Sequence, residues 1–350
     1  MLKSFGTLPG GKRLERIAES AQYHDGIFWN MTDTPLMAPD ASYPKMLRDF
    51  FFGKIPGQVP DRVLPSVRRD LKSLDPEVPS ITWFGHSSYL LTLNGKFILV
   101  DPVFSDRASP FSFVGTRAFA GSNPYTIDDL PNPDVVILTH DHYDHLDYTS
   151  IMKLRSRAGL FCTSLGVGAH LEFWGVESSR IREFDWWEHA TVFPGLELTA
   201  APARHFSGRA FARNKTLWSS FLLKSGGKTL FLGGDSGYDS AFKLIGEHAG
   251  PIDLAILECG QYDRQWPNIH MMPEQTAQAG IDLKAKAMMA VHWGKFKLAN
   301  HPWTDPAERV SKAAESNGIL LAGPIIGEPM PLDSVIRNNY WWRNVEPQVV

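Results

Sequence analysis

Val135-Val136-Ile137-Leu138-Thr139-His140-Asp141-His142-Tyr143-Asp144-His145-Leu146-Asp147 sets an apolar run directly against three histidines and three acids. Four apolar residues in a row, bounded by polar ones, read as a buried strand. The polar residues begin where that strand ends, at the edge where rigid strands hold functional groups and loops admit substrate. His140 and His142 are two apart, so an extended backbone turns both to one side. The following turn carries Asp144 and His145 onward. Three imidazoles and a carboxylate packed this closely are a donor set suited to zinc, iron or manganese.

Three later positions repeat the pattern of a polar residue after an apolar run. Leu196–Ala200 leads to His205, Leu230–Leu232 leads to Asp235, and Ala287–Val291 ends at His292. Together these seven residues can be shared between two metals. One takes His140, His142 and His205; the other takes Asp144, His145 and His292; Asp235 bridges them and is also assigned to the catalytic centre. A water shared by two dications ionises near neutrality, so hydrolysis is the natural chemistry.

The rest of the chain agrees with a globular enzyme. Apolar residues make up 43% and charged residues 21% of 350, which excludes disorder as the main state. A formal charge of −3 argues against a nucleic-acid-binding protein that works by bulk attraction. The two cysteines, Cys162 and Cys259, follow apolar stretches and are expected as buried free thiols. No stretch reaches the ~18 apolar residues of a membrane span, and the N-terminus lacks a signal-like apolar segment. The expected setting is cytoplasmic, with peripheral contact to a membrane left open.

Residues 1–79 read as an extension packed on the core, with helical patterns at Lys12–Ser20 and Tyr43–Phe52 and the aromatic run Phe50-Phe51-Phe52. Residues 80–350 read as the main domain. Asn94-Gly95 and Gly226-Gly227, each between apolar runs, mark two hairpins. Further strands are expected at Val135–Leu138, Leu160–Cys162, Leu196–Ala200, Leu254–Leu257 and Ala287–Val291. Helices are expected at Tyr148–Arg157, Ser240–His248, Pro273–Lys284 and Asp305–Glu315, the last two opened by Pro and an acid. Hairpins first and helix–strand alternation later suit two sheets covered by helices.

The cluster His140-Asp141-His142-Tyr143-Asp144-His145, with His205, Asp235 and His292 in that order, resembles the metallo-β-lactamase superfamily. Thr82–Ser88, Val100-Asp101-Pro102, His270–Glu274 and Val291–Phe296 look like the branch that contains the phospholipase D acting on N-acyl-phosphatidylethanolamine. The resemblance spans about residues 20 to 300 and includes Tyr23–Asn30 and Phe50–Gly53. It implies a four-layer αββα sandwich, α+β or α/β in class, with a dinuclear metal site at one sheet edge. It also implies two divalent ions, usually zinc, with iron or manganese fitting the same donors.

The expected activity is therefore a metal-dependent, phospholipase D-like phosphodiesterase. A hydroxide shared by the metals would attack a small-molecule or phospholipid substrate, the latter of the N-acyl-phosphatidylethanolamine type. A lactonase or other ester hydrolase on the same metals is the alternative, and a metal-dependent binding or regulatory protein the non-enzymatic one. His270 resembles a position near the metals and is assigned substrate contact or leaving-group protonation, making it catalytic with Asp235. Asp101 is read either as a partner of a ligand imidazole or as a turn cap, and His86 as lining the site or bonding its own turn. Arg204 and Arg209 flank His205; each is read first as a solvated arginine and otherwise as a phosphate contact. Phe111, Phe113, Phe119 and Tyr125 lie on a long loop that is either a lid or packed on the extension. Trp186-Trp187 and Tyr340-Trp341-Trp342 are expected to be packing groups.

Overall fold

The computed structural model describes residues 3–42, 44, 48, 55–334 and 338–345. Two seven-stranded sheets stack face to face. The first runs in the spatial order Pro329–Pro331, Ser80–Trp83, Tyr89–Leu93, Lys96–Val100, Val135–Leu138, Leu160–Ser164 and Ile181–Phe184. The second runs Leu320–Ala322, Ala287–Val291, Leu254–Glu258, Lys228–Leu232, Ser220–Ser225, Leu196–Ala201 and His189–Phe193. In each sheet half the neighbouring pairs are antiparallel and half are parallel, the parallel ones reached by crossovers.

The strands are apolar on both faces because both are covered. Val135 and Ile137 join Leu230, Leu232 and Ile256 in the layer between the sheets. Their neighbours Val136 and Leu138 turn outward onto Ile151 and Leu154 of the helix Tyr148–Leu154. On the other side Phe231, Ala255 and Met288 meet Ile245, Ala277 and Val310 from the helices Ala241–Ala249, Pro273–Asp282 and Asp305–Asn317. The period-two alternation thus builds three apolar layers, and the architecture is the expected αββα sandwich.

Both hairpins form at the marked dipeptides. Asn94 and Gly95 have φ of 53° and 72°, Gly226 and Gly227 55° and 74°, the left-handed pair that a two-residue turn needs. Expected helices end early: Tyr148–Leu154 stops before Arg157 and Pro273–Asp282 before Lys284. The helix Gly168–Phe173 and the strands Ile181–Phe184, His189–Phe193, Leu320–Ala322 and Pro329–Pro331 were not expected, being short and mostly at sheet edges. Apart from Pro44 and Arg48, the expected helix at Tyr43–Phe52 with its aromatic run lies outside the described residues, as does Phe50–Gly53.

Cys162 and Cys259 are buried and free, as expected. Ile17 and Phe28 of the N-terminal segment pack with Trp186 and Trp218, and Leu71 with Phe84 and Tyr125. Trp341 and Trp342 close a cluster with Trp293, which also contacts Trp83 and Trp303. In the aromatic loop Phe119 and Tyr125 are buried and Phe111 meets Phe5 edge-on, whereas Phe113 is 75% exposed. This loop lines one wall of a groove of about 1050 Å³ with Val59, Asp106 and Lys297, a groove that none of the clustered histidines lines. No helix among the described residues is long and apolar enough to cross a membrane.

Candidate metal centre and active site

The strand Val135–Leu138 delivers His140 and His142; the other sheet delivers His205, Asp235 and His292 from the ends of three strands or the loops just beyond. The two sheets meet at one edge, so all seven side chains gather there. His142 Nδ1 lies 2.9 Å from His140 Nε2 and 3.2 Å from His205 Nε2. Asp235 Oδ2 is 3.6 Å from His205 Nε2 and 3.8 Å from His140 Nε2. The other oxygen, Oδ1, is 3.1 Å from His292 Nδ1 and 3.2 Å from His145 Nε2, and Asp144 Oδ2 is 3.7 Å from that Nε2. One carboxylate therefore faces two separate groups of donors.

Each group is compact enough for one ion. His140, His142, His205 and Asp235 each offer a donor atom within 4.8 Å of the others, and so do His86, Asp144, His145 and His292. Protonation favours the same use. Burial, reinforced by neighbouring imidazoles, pushes His140 well below the ordinary histidine range, and burial does the same to His205 and His292. Burial alone would raise Asp144 and Asp235, yet His145 and the other imidazoles around them hold both well below the usual carboxylate range. Burial would lower His145, but Asp235, Asp144 and Asp101 raise it well above its ordinary value. A dication at Nε2 would face Asp235 and Asp144 and leave the Nδ1 proton to Asp101. Buried His145 Nε2 and Asp235 Oδ1 both lack a hydrogen-bond partner, so this donor set fits a pair of metals.

The support around these side chains was only partly foreseen. Asp101 accepts from Thr139 N at 2.9 Å and Thr139 Oγ1 at 2.7 Å, and its Oδ2 is 2.8 Å from His145 Nδ1. That contact leaves His145 Nε2 for the centre, the arrangement expected of an imidazole-fixing carboxylate. His86 Nε2 is 2.9 Å from Asp144 Oδ2, and Ser87 Oγ is 2.9 Å from His292 Nδ1. His86, Asp101 and His292 all have left-handed backbones, with φ of 52°, 39° and 67°. Such conformations in non-glycine residues persist only where surrounding contacts enforce them. Gly260 allows the close approach here, since a Cβ on it would stand 2.0 Å from the His292 carbonyl oxygen.

Two acids of the quoted stretch point away. Asp141 accepts from Gly208 N at 2.7 Å and Thr216 Oγ1 at 2.9 Å. Asp147 caps the helix Tyr148–Leu154 through Thr149 N and Ser150 N. Both arginines near His205 are engaged by the protein's own oxygens. Arg204 donates to Thr34 Oγ1, Tyr238 O and Asp33 O. Arg209 is buried and donates to Asp141 O, Leu146 O and Ser4 O, tying the histidine loop to the N-terminal segment.

His270 stands beside the cluster, its ring 5.1 Å from that of His205 and 5.2 Å from that of His292. Behind it lies Glu258, whose Oε1 is 3.7 Å from His270 Nδ1 and accepts from Met271 N at 2.6 Å. Burial pushes Glu258 up to about 7, and Glu258 in turn lifts His270 against its own burial. Glu258 escaped the sequence reading although it carries the signal used for the others, a polar residue at the end of the apolar run Leu254–Leu257.

Residues 96–293 match the family model described as a β-lactamase superfamily domain. The chain belongs to the metallo-β-lactamase superfamily. By family it is a metal-dependent hydrolase. It is 37% identical over 329 residues to an uncharacterised Mycobacterium tuberculosis protein, covering 93% of this chain and 88% of that one. It is 34% identical over 247 residues to the mitochondrial N-acyl-phosphatidylethanolamine-hydrolysing phospholipase D of Saccharomyces cerevisiae, covering 68% of this chain and 52% of the yeast protein. A metallo hydrolase from Ignicoccus hospitalis shares the fold with a TM-score of 0.57 at 22% identity, over 72% of this chain and 97% of that one. In this superfamily member, the sheet edge with its seven donors is where the hydrolytic centre is to be sought.

Proposed function

We propose that this chain is a dinuclear, zinc-favouring phosphodiesterase of the phospholipase D type, acting on a phospholipid related to N-acyl-phosphatidylethanolamine. The observation that carries it is Asp235, whose two oxygens face two distinct donor groups. The likeness to the yeast phospholipase supports the substrate class. His140, His142 and His205 would hold one ion, Asp144, His145 and His292 the other, with Asp235 between them. Two divalent ions there supply Lewis acidity and a nucleophile at neutral pH.

The protein's own groups do the rest. Asp101 fixes the His145 ring, and His86 and Ser87 orient Asp144 and His292. Arg204 and Arg209 are engaged with Thr34, Tyr238, Asp33, Asp141, Leu146 and Ser4, so the charge of the phosphate is matched chiefly at the donor cluster itself. His270, whose hold on a proton Glu258 strengthens against burial, donates that proton to the oxygen that leaves when the phosphodiester bond breaks. The test is turnover of N-acyl-phosphatidylethanolamine vesicles by protein of known metal content. Release of phosphatidic acid is the expected result; no release from that lipid by protein that does cleave lactones would replace this reading with a lactonase.

A further inference from the structure

Lys295 is wholly buried, an unusual place for a lysine, and such a group ordinarily needs a charged partner. Its hydrogen bonds instead go to two backbone carbonyls, Val103 O at 2.7 Å and Phe84 O at 3.2 Å. The rings of Phe104 and Phe296 flank the nitrogen, 5.4 and 5.8 Å from it. Burial lowers this lysine to about 7, and in either protonation state it carries a proton for both carbonyls.

The segments it joins all lead to one half of the centre. Phe84 stands two residues before His86, which meets Asp144. Val103 stands two residues after Asp101, which meets His145. Lys295 itself follows His292 by three residues, and the His86 and His292 loops exchange backbone bonds, His86 N to Trp293 O at 2.8 Å and His292 N to His86 O at 3.0 Å. Ser88 Oγ adds a stitch, donating to Asp101 O and accepting from Val103 N. Each loop carries one strained, left-handed residue, His86, Asp101 or His292. Gly85 leaves room for the lysine stem, since a Cβ there would be 3.3 Å from Lys295 Cβ. Towards the first group they continue only at one remove, from Asp101 through Thr139 Oγ1, 3.0 Å from His140 Nδ1, and none touches His142 or His205.

We infer that Lys295 is a positioning residue chiefly for the second ion, clamping the three loops that aim Asp144, His145 and His292. The inference rests on the two-metal reading of the site. Its test is a titration of metal-free, full-length protein with Co2+, followed by absorption, for the parent, Lys295→Met and Lys295→Gln. The parent is expected to bind two equivalents. In Lys295→Met the first should bind within about twofold of the parent, while the second weakens by ~10–100-fold, the loss typical when a ligand's support is removed. His140→Ala serves as the converse control, weakening the first group's ion. Equal binding of both equivalents by parent and variant would overturn the clamp. So would equal weakening of both, or failure of both lysine variants to fold, since the lysine would then serve the core as a whole. A parent that binds no cobalt would instead overturn the two-metal reading.

Discussion

His145 Nε2 stands 3.2 Å from Asp235 Oδ1, and both atoms are buried without a regular hydrogen bond. Leaving polar atoms unpaired inside a protein costs about 1–3 kcal/mol each. The other nitrogen of the same ring is held by Asp101 at 2.8 Å, so the ring cannot turn to find a partner without losing that bond. A cation between Nε2 and Oδ1 removes the cost for both.

Asp235 is shared by both donor groups, so Asp235→Asn should impair both ions at once, whereas His140→Ala should impair chiefly one. Activity is expected to fall by at least about 100-fold in each. Circular dichroism should show a retained fold, and metal analysis should show the larger loss in Asp235→Asn. Wild-type turnover in either variant would contradict the assignment.

Asp101→Asn should act at a distance from the substrate. The amide loses the charge that fixes His145, and affinity for the ion held by His145 is expected to drop ~10–100-fold. Competition with a chromophoric chelator would measure this. Unchanged affinity would mean that Asp101 serves only Thr139 and its turn.

If His270 protonates the leaving oxygen, its removal should matter most when the leaving group is a poor one. His270→Gln is expected to slow cleavage of a phospholipid by about 100-fold or more. Cleavage of bis(p-nitrophenyl) phosphate, whose phenolate leaves unaided, should slow far less. Equal losses on both substrates would contradict the proton-donor role.

Glu258 gives a pH signature in the metal-free protein. Its carboxyl rises from 4.5 to about 7 on burial, so the folded state binds that proton more tightly than the unfolded chain does. Stability from this group is therefore present below about pH 4.5 and falls as pH rises towards 7, by up to about 3 kcal/mol. Glu258→Gln should flatten that part of the profile in urea unfolding measured from pH 5 to 8. An unchanged slope would show that Glu258 is already ionised in the folded state.

Much of this was legible in the chain because apolar run followed by ligand is a local pattern. Val135–Leu138 with His140 and His142, Ala287–Val291 with His292, and the Asn94-Gly95 turn each show themselves within a dozen residues. The edge strand Pro329–Pro331 did not, because it is short and pairs with Ser80–Trp83 from far away in sequence, and His189–Phe193, though it forms a hairpin with Leu196–Ala201, buries only Ala190 and so carries a weak apolar signal. The roles of Arg204 and Arg209 were equally hidden. A guanidinium beside a ligand histidine reads as solvated or as a phosphate contact until its acceptors, Asp33 O, Leu146 O and Ser4 O, are brought in from elsewhere in the chain. Lys295 was hidden for the same reason, since its meaning lies in the Phe84 and Val103 carbonyls, whereas Glu258 does end an apolar run but shows its role only beside His270.

Seven side chains that hold two metals for hydrolysis must bring metal and activity together. Metal content by plasma mass spectrometry on untagged protein, with phosphodiester turnover assayed on the same sample, tests this most directly. About two ions per chain together with turnover is the expected result. A chain that takes up no metal even after reconstitution, with its fold intact, would contradict the account.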